Sequence, residues 1–270
     1  MSDDRESMFV HRTEPRFGKG RRTRAMYSFA LLLAACAKLC EAADYAREER
    51  WVEEVAPAIV VGDPAYLATP ARAKVFAIIA EPSGVAKGGV VIVHGLGVHP
   101  DWGINGALRT RLVDAGFITL AVQMPVLAAD ATRDDYLPTL PEASERIAAA
   151  IRYLRDKSAR KIAIVSHSYG ATMVNAYLAR SDALAVDAWV PIGMSGTFDA
   201  RPKEPVLDIV AEHDGHDVRA DWRGRAREPA PDSCSRRLSI DGTDHYFDNR
   251  QARLASVIAA FLERAFSGGC

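Results

Sequence analysis

The sequence predicts an α/β fold: a mostly parallel central sheet with helices on both faces and no large cap domain. Three observations predict it. From residue 43 onward, short apolar runs rich in β-branched residues alternate with longer stretches of helical spacing, the pattern of parallel strands joined by helices. Gly88-Gly89-Val90-Val91-Ile92-Val93 is a continuous apolar run, as expected of a strand buried on both faces. Ser166-His167-Ser168-Tyr169-Gly170 stands between the apolar run 161–165 and the helical pattern 171–180. A serine therefore sits at the apex of a strand–turn–helix unit.

The elements follow in order. Residues 44–55 read as a helix ended by Pro57, and residues 65–67 and 74–80 as early strands. A helix over 105–115 leads to a strand over 117–122. Residues 141–157 carry Ile147, Ile151 and Leu154 at helical spacing. After the serine turn and its helix come strands over 187–192, 205–211 and 238–240, then a helix over 250–266. No long insertion separates 187–192 from Val206, which is why no cap domain is expected. Loops 98–105 and 124–140 would cover the substrate, leaving an open site suited to small esters.

The first 42 residues are of another kind. Arg16, Lys19, Arg21, Arg22 and Arg24 precede an apolar run over 26–39 interrupted only by Lys38. The run is shorter than the ~20 residues of a membrane span and has the flanks of a secretory signal. Residues 1–42 are therefore expected to be a signal peptide cleaved after Ala42, and 43–270 a single domain in the periplasm or outside the cell. Met8 and Met26 are alternative starts, and Arg21-Arg22 is a faint twin-arginine feature. Leu33-Ala34-Ala35-Cys36 resembles a lipobox; lipidation of Cys36 would anchor the enzyme to a membrane, the one membrane association foreseen. Cys234 and Cys270 would remain after cleavage in an oxidising space, where a bond between them would persist.

Composition narrows the function classes. At 270 residues and 49% hydrophobic content the chain buries a full core. Removing the 8 Lys/Arg and 5 Asp/Glu of residues 1–42 leaves 26 basic against 30 acidic residues. No basic stripe remains, so nucleic acid is not an expected partner.

A serine hydroxyl needs a base to become a nucleophile, and the base needs an orienting acid. In a strand–turn–serine fold these follow in the order Ser, acid, His. Asp214 lies three residues past Ala211 at the end of a predicted strand, with Glu212 as the alternative acid. His245 lies between the last strand and the last helix, where the base belongs. The oxyanion hole needs two backbone N–H groups, expected from Tyr169 and from Leu96 in His94-Gly95-Leu96-Gly97. His94, Gly95 and Trp102 are candidates to line the substrate pocket, with Asp101 beside them; Trp102 and Asp101 are equally placed to start the next helix.

These motifs resemble those of the α/β-hydrolase superfamily, over residues 43–266. More narrowly, Ala43-Asp44-Tyr45-Ala46-Arg47-Glu48, Val93 through Trp102, and Val122-Gln123-Met124-Pro125-Val126-Leu127 are similar to a family of small bacterial envelope hydrolases described as a domain of unknown function. The superfamily resemblance implies serine-dependent hydrolysis through an acyl-enzyme. The narrower one implies no substrate. Ser166 stands where the superfamily pattern has glycine.

The expected partner is thus a small-molecule ester or acyl substrate, with no cofactor. An amide or peptide bond passes through the same tetrahedral intermediate and stays open, as does a non-catalytic envelope protein built on a hydrolase fold. Oligomeric state is left open. His213-x-x-His216 has ligand-like spacing, but zinc needs three or four converging ligands, so no metal is expected.

Overall fold

The computed structural model describes residues 43–226 and 233–269. The expected signal segment with Cys36 and the expected disulfide partner Cys270 lie outside the described residues; Cys234 itself is buried and disulfide-bonded. Among the described residues no helix is long and apolar enough to cross a membrane.

Eight strands form one sheet: β1 (Asp63–Leu67), β2 (Val75–Ala80), β3 (Gly89–Val93), β4 (Ile118–Val122), β5 (Ile162–His167), β6 (Ala188–Ile192), β7 (Leu207–Ala211) and β8 (Arg236–Ile240). Their order is β1-β2-β4-β3-β5-β6-β7-β8. The pairs β1–β2 and β2–β4 are antiparallel, and every other pair is parallel. The helices are α1 (Tyr45–Val55), α2 (Gly103–Asp114), α3 (Leu140–Asp156), α4 (Tyr169–Leu178), α5 (His216–Arg225) and α6 (Gln251–Ser267).

Successive strand residues point to opposite faces, which creates two cores. Val91 and Val93 face the side of Ile147, Ile151 and Leu154 on α3 and Met173, Val174 and Tyr177 on α4. Val90 and Ile92 face Leu108 and Leu112 of α2 and Leu254, Ile258 and Leu262 of α6. The run 88–93 is therefore apolar throughout because both of its faces are covered. Helix α5 and two 3-10 turns, Ala56–Ala58 and Asp134–Thr139, were not foreseen. Helix α5 buries Arg225 alone, so its sequence carries no apolar stripe to read. No cap is inserted; α5 is merely the crossover between β7 and β8.

Helix α1 is joined to the rest by polar contacts. The Asp44 side chain caps it by accepting the Arg47 N–H at 2.9 Å. The Asp44 N–H donates to Val126 O at 2.6 Å, and Arg47 Nη1 donates to Leu127 O at 2.6 Å. Glu48 is buried among Arg146, whose Nη2 is 3.0 Å away as an ion pair without hydrogen-bond alignment, and Arg72, 3.2 Å away. Burial pushes the Glu48 carboxyl pKa up, against the pull of both arginines. Arg146, fully buried, also donates to Gln123 O at 2.9 Å and bonds the Glu142 carboxylate. With Arg47 Nη2 also donating to Gly97 O at 3.3 Å and the Met124 N–H to His94 Nε2 at 2.8 Å, the three stretches that carry the narrower resemblance meet at one place.

Breaking such a pair from one side leaves an uncompensated buried charge. Arg146→Ala, which leaves Glu48 with Arg72 as its remaining cation and takes from Glu142 its partner arginine, is expected to cost about 3 kcal/mol or more. In a domain of this size that lowers the melting temperature by roughly 6–12 °C. A thermal melt shifted by less than about 2 °C would show that the cluster adds nothing to stability.

Candidate active site

Strand β5 is buried along its whole length between β3 and β6. It ends at His167, and α4 begins at Tyr169. The single residue between them, Ser168, has φ 56° and ψ −127°. A serine at positive φ is crowded by its own Cβ and costs of order 1–3 kcal/mol. Its N–H is tied to Ile192 O at 2.8 Å. The reason for so tight a turn lies two residues on: a Cβ at Gly170 would stand 2.5 Å from the carbonyl oxygens of both Val93 and His94. Ser166 replaces the usual glycine for a local reason. It is fully buried, and its Oγ accepts the indole N–H of Trp189 at 3.0 Å.

The parallel strands deliver the partners to the same edge. Asp214 follows β7 and is 4% exposed. Its Oδ1 accepts the Gly215 N–H at 2.8 Å and lies 2.8 Å from His245 Nδ1. With its Nδ1–H donating this hydrogen bond to the carboxylate, His245 has Nε2 unprotonated and able to act as a base. Glu212, the alternative acid, is elsewhere: it is exposed and its carboxylate accepts the Gly242 N–H at 2.7 Å. Gly193, at φ +60°, closes over the pair; a Cβ there would meet His245 Cε1 at 2.9 Å and Asp214 Oδ2 at 3.2 Å. Ser168 Oγ makes no hydrogen bond among the described residues. Such bonds often tighten only once substrate binds.

Two residues of the site were not assigned roles from sequence. Gly193 is one, and its signal was a glycine directly after the strand 187–192. The other is His167, whose Nε2 donates to His245 O at 2.8 Å and whose ring lies 4.7 Å from that of His245. Burial, then the neighbouring His245, lowers its pKa to about 4. A neutral His167 therefore holds the backbone of the base in place.

The loop after β3 is fixed by His94. The Met124 N–H donates to His94 Nε2 at 2.8 Å, so the proton of the ring is on Nδ1, which donates to Gly95 O at 2.8 Å. In a trans peptide the N–H points away from the C=O, so the Leu96 N–H faces away from the His94 ring. Neither Leu96 N–H nor Tyr169 N–H has an acceptor among the described residues. Gly95 abuts the serine: a Cβ there would lie 3.1 Å from Ser168 Cβ. His94, expected at the pocket wall, is instead 1% exposed, with its ring turned inward and engaged with the loop itself. Burial lowers its pKa to about 3. Trp102 is at the rim, 38% exposed, edge-on to Tyr246 at 5.7 Å, and Tyr246 lies 5.5 Å from His245. Asp101 is ion-paired with the buried Arg109. His213 and His216 are exposed, and among the described residues no group of three or more His, Cys, Asp or Glu is placed to hold a metal.

Comparisons with known proteins agree with this fold. The sequence model of a family described as the alpha/beta hydrolase family matches residues 90–268. No curated protein matches the chain. Among solved structures it resembles an alpha/beta serine hydrolase without lid from Xanthomonas campestris (14% identity, TM-score 0.61, 76% of this chain and 95% of that one). It also resembles an alpha-beta serine hydrolase homologue from Coxiella burnetii (14%, 0.59, 75% and 98%) and the esterase domain of a Rhodothermus marinus protein (14%, 0.57, 75% and 98%). At these identities the likeness is one of fold.

The two buried histidines set a pH dependence. Both pKa values lie below the ordinary 6.5, so on acidification the unfolded chain takes up protons that the folded chain refuses. Stability is therefore full above pH ~6.5 and falls as pH drops toward 4, by up to about 2.7 kcal/mol per pH unit for two sites. The raised carboxyls of Glu48 and Glu204 oppose this in part. Unfolding free energies measured between pH 7 and 4.5 should fall with acidification, and His167→Asn should reduce the slope by about one proton. A flat profile in the wild type would contradict the burial of neutral rings.

Proposed function

We infer that this chain, which belongs to the alpha/beta hydrolase family, is a serine hydrolase that cleaves carboxylic ester-type substrates. Ser168 is the nucleophile, His245 the base and Asp214 the orienting acid. The observation that carries this reading is the backbone of Ser168. The close helix approach imposes φ 56° and ψ −127° at this position, a conformation that glycine would adopt without strain, so a serine kept there at a cost is retained for its hydroxyl. The His245–Asp214 hydrogen bond at the same sheet edge supports it.

In this reading His245 Nε2 takes the hydroxyl proton as Ser168 Oγ attacks the carbonyl carbon. The oxygen that becomes negative is received by the Leu96 and Tyr169 N–H groups, and the helix α4 N-terminus adds to the field there. Collapse breaks the ester bond, and His245 passes its proton to the leaving alcohol. Water, deprotonated by His245, then attacks the acyl-enzyme, releases the acid and restores Ser168. The neighbour described as an esterase domain supports the choice of ester over amide at the level of fold. The basic lead and apolar run of residues 1–42 support export, placing the enzyme beyond the cytoplasmic membrane.

The test is labelling of the purified protein by a fluorophosphonate probe, with ester turnover beside it. Wild type should label and Ser168→Ala should not, with turnover reduced by ~1,000-fold or more. Asp214→Asn should lower turnover by ~100-fold or more, whereas Glu212→Gln should stay within about threefold. A Ser168→Ala protein within tenfold of wild type would remove the assignment.

A further inference from the structure

One cation beside the nucleophile has no part in this chemistry. Arg133, on the loop between β4 and α3, is exposed. Its guanidinium is nevertheless held in place: Nη2 donates to Thr172 Oγ1 at 2.9 Å, Nη1 reaches Ser195 Oγ at 3.4 Å, and its carbon lies 5.0 Å from the ring centre of Tyr169. All three neighbours are uncharged, and Arg133 forms no ion pair among the described residues. Asp134 and Asp135 follow it in the chain, but Asp135 is taken up by the Thr132 N–H and hydroxyl at 2.7 and 2.6 Å, and neither pairs with Arg133.

Its location ties it to the nucleophile. Ser168 caps α4 and Thr172 lies four residues on, so the two share a helix face, one turn or about 6 Å apart. Both are partly exposed, while Ala171, Met173 and Val174 are buried. Ser195 is two residues past Gly193, the glycine that lies against His245 and Asp214. Arg133 therefore bridges the helix that bears the nucleophile and the loop that covers the base. Below it, the Tyr169 hydroxyl is buried without a hydrogen-bond partner. Among the described residues the surface beside Ser168 thus carries a cation without an ion pair and a hydroxyl without a hydrogen-bond partner. With two guanidinium nitrogens oriented by hydroxyls, further N–H groups remain to meet a carboxylate, the planar anion that arginine fits best.

The geometry points to Arg133 as an anion-reading subsite: the substrates this enzyme prefers are esters that carry a carboxylate within about one helical turn of the scissile carbonyl. This rests on the serine-hydrolase reading and adds the class of substrate to it.

Three matched esters test it: 4-nitrophenyl butyrate, which is neutral; 4-nitrophenyl hemiglutarate, with the carboxylate on the acyl side; and 4-carboxyphenyl butyrate, with it on the leaving group. The quantity read is the ratio of kcat/KM for an anionic ester to that for its neutral counterpart. Arg133→Gln should lower this ratio by about tenfold or more for one of the two anionic esters, which identifies the side, and Arg133→Lys should keep part of it. Ratios unmoved for both esters overturn the subsite. Calorimetry reads the same subsite without turnover, with monoethyl glutarate as the probe where the acyl-side ester responds and 4-carboxyphenyl butyrate where the leaving-group ester does. The Ser168→Ala protein should bind that probe, and the Ser168→Ala, Arg133→Gln protein should bind it about tenfold more weakly or not at all. Equal binding, or none by either, overturns the proposal. Charge-dependent binding with no turnover of any ester would leave the subsite standing and sink the hydrolase reading. Turnover of the neutral ester with unmoved ratios would do the reverse.

Discussion

The whole site depends on how closely α4 approaches the end of β3. At Gly170 there is no room for a side chain, because the Val93 and His94 carbonyls would lie 2.5 Å from its first carbon. The chain leaving β5 must reverse into a helix within one residue, and Ser168 takes the strained backbone that this requires. The strain is sustained by its surroundings: β5 is paired on both sides and buried at every position, and the Ser168 N–H is anchored on β6. What the strain yields is position. The serine hydroxyl stands at the sheet edge, at the N-terminus of a helix, with no backbone group of its own in the way.

Parallel pairing then does the assembly. Because β5, β6, β7 and β8 run the same way, their following loops open on one edge, and residues 46 and 77 positions beyond Ser168 are brought to it without any local sequence relation. The alignment of the base is finer than topology alone provides. His245 is held by Asp214 at Nδ1 and by His167 at its backbone carbonyl, and Gly193 leaves no space beside its ring. His167 suits this duty because burial keeps it neutral: a charged ring next to His245 would disfavour the imidazolium that the proposed mechanism forms.

The strands, five of the six helices and the Ser–Asp–His order were legible in the sequence, since each leaves a local mark: β-branched runs, 3.6-residue spacing, or a residue just past a strand end. Features that leave no such mark were not. Helix α5 packs through Arg225 and its contact with Asp208, so its pattern is that of a solvated loop. His94 was placed in the site, but the direction of its ring depends on Met124, thirty residues away. Ser166 looked like a departure from the glycine expected there; Trp189, whose indole it receives, is visible only once β5 and β6 are paired. Arg133 gave no signal at all, because nothing in the loop 124–140 says which helix it folds onto.

The loop that bears Leu96 poses the remaining physical problem. It is flanked by Gly95 and Gly97, and glycines allow close approach to Ser168 at the expense of any intrinsic preference for one conformation. An N–H that is to receive developing charge must nonetheless be set before the reaction, or its reorganisation is added to the barrier. Here order is imposed from outside the loop and from both ends of it. His94 fixes the Gly95 carbonyl, and Arg47 Nη2 reaches the Gly97 carbonyl at 3.3 Å while Nη1 holds Leu127 O. Arg47 belongs to α1, outside the β3–α6 frame, and α1 is in turn pinned by Glu48 to the buried Arg146. The helix that begins the described chain, together with its ion cluster, is therefore part of the proposed catalytic edge in a mechanical sense: it restores to a glycine loop the rigidity that the loop's own residues cannot supply.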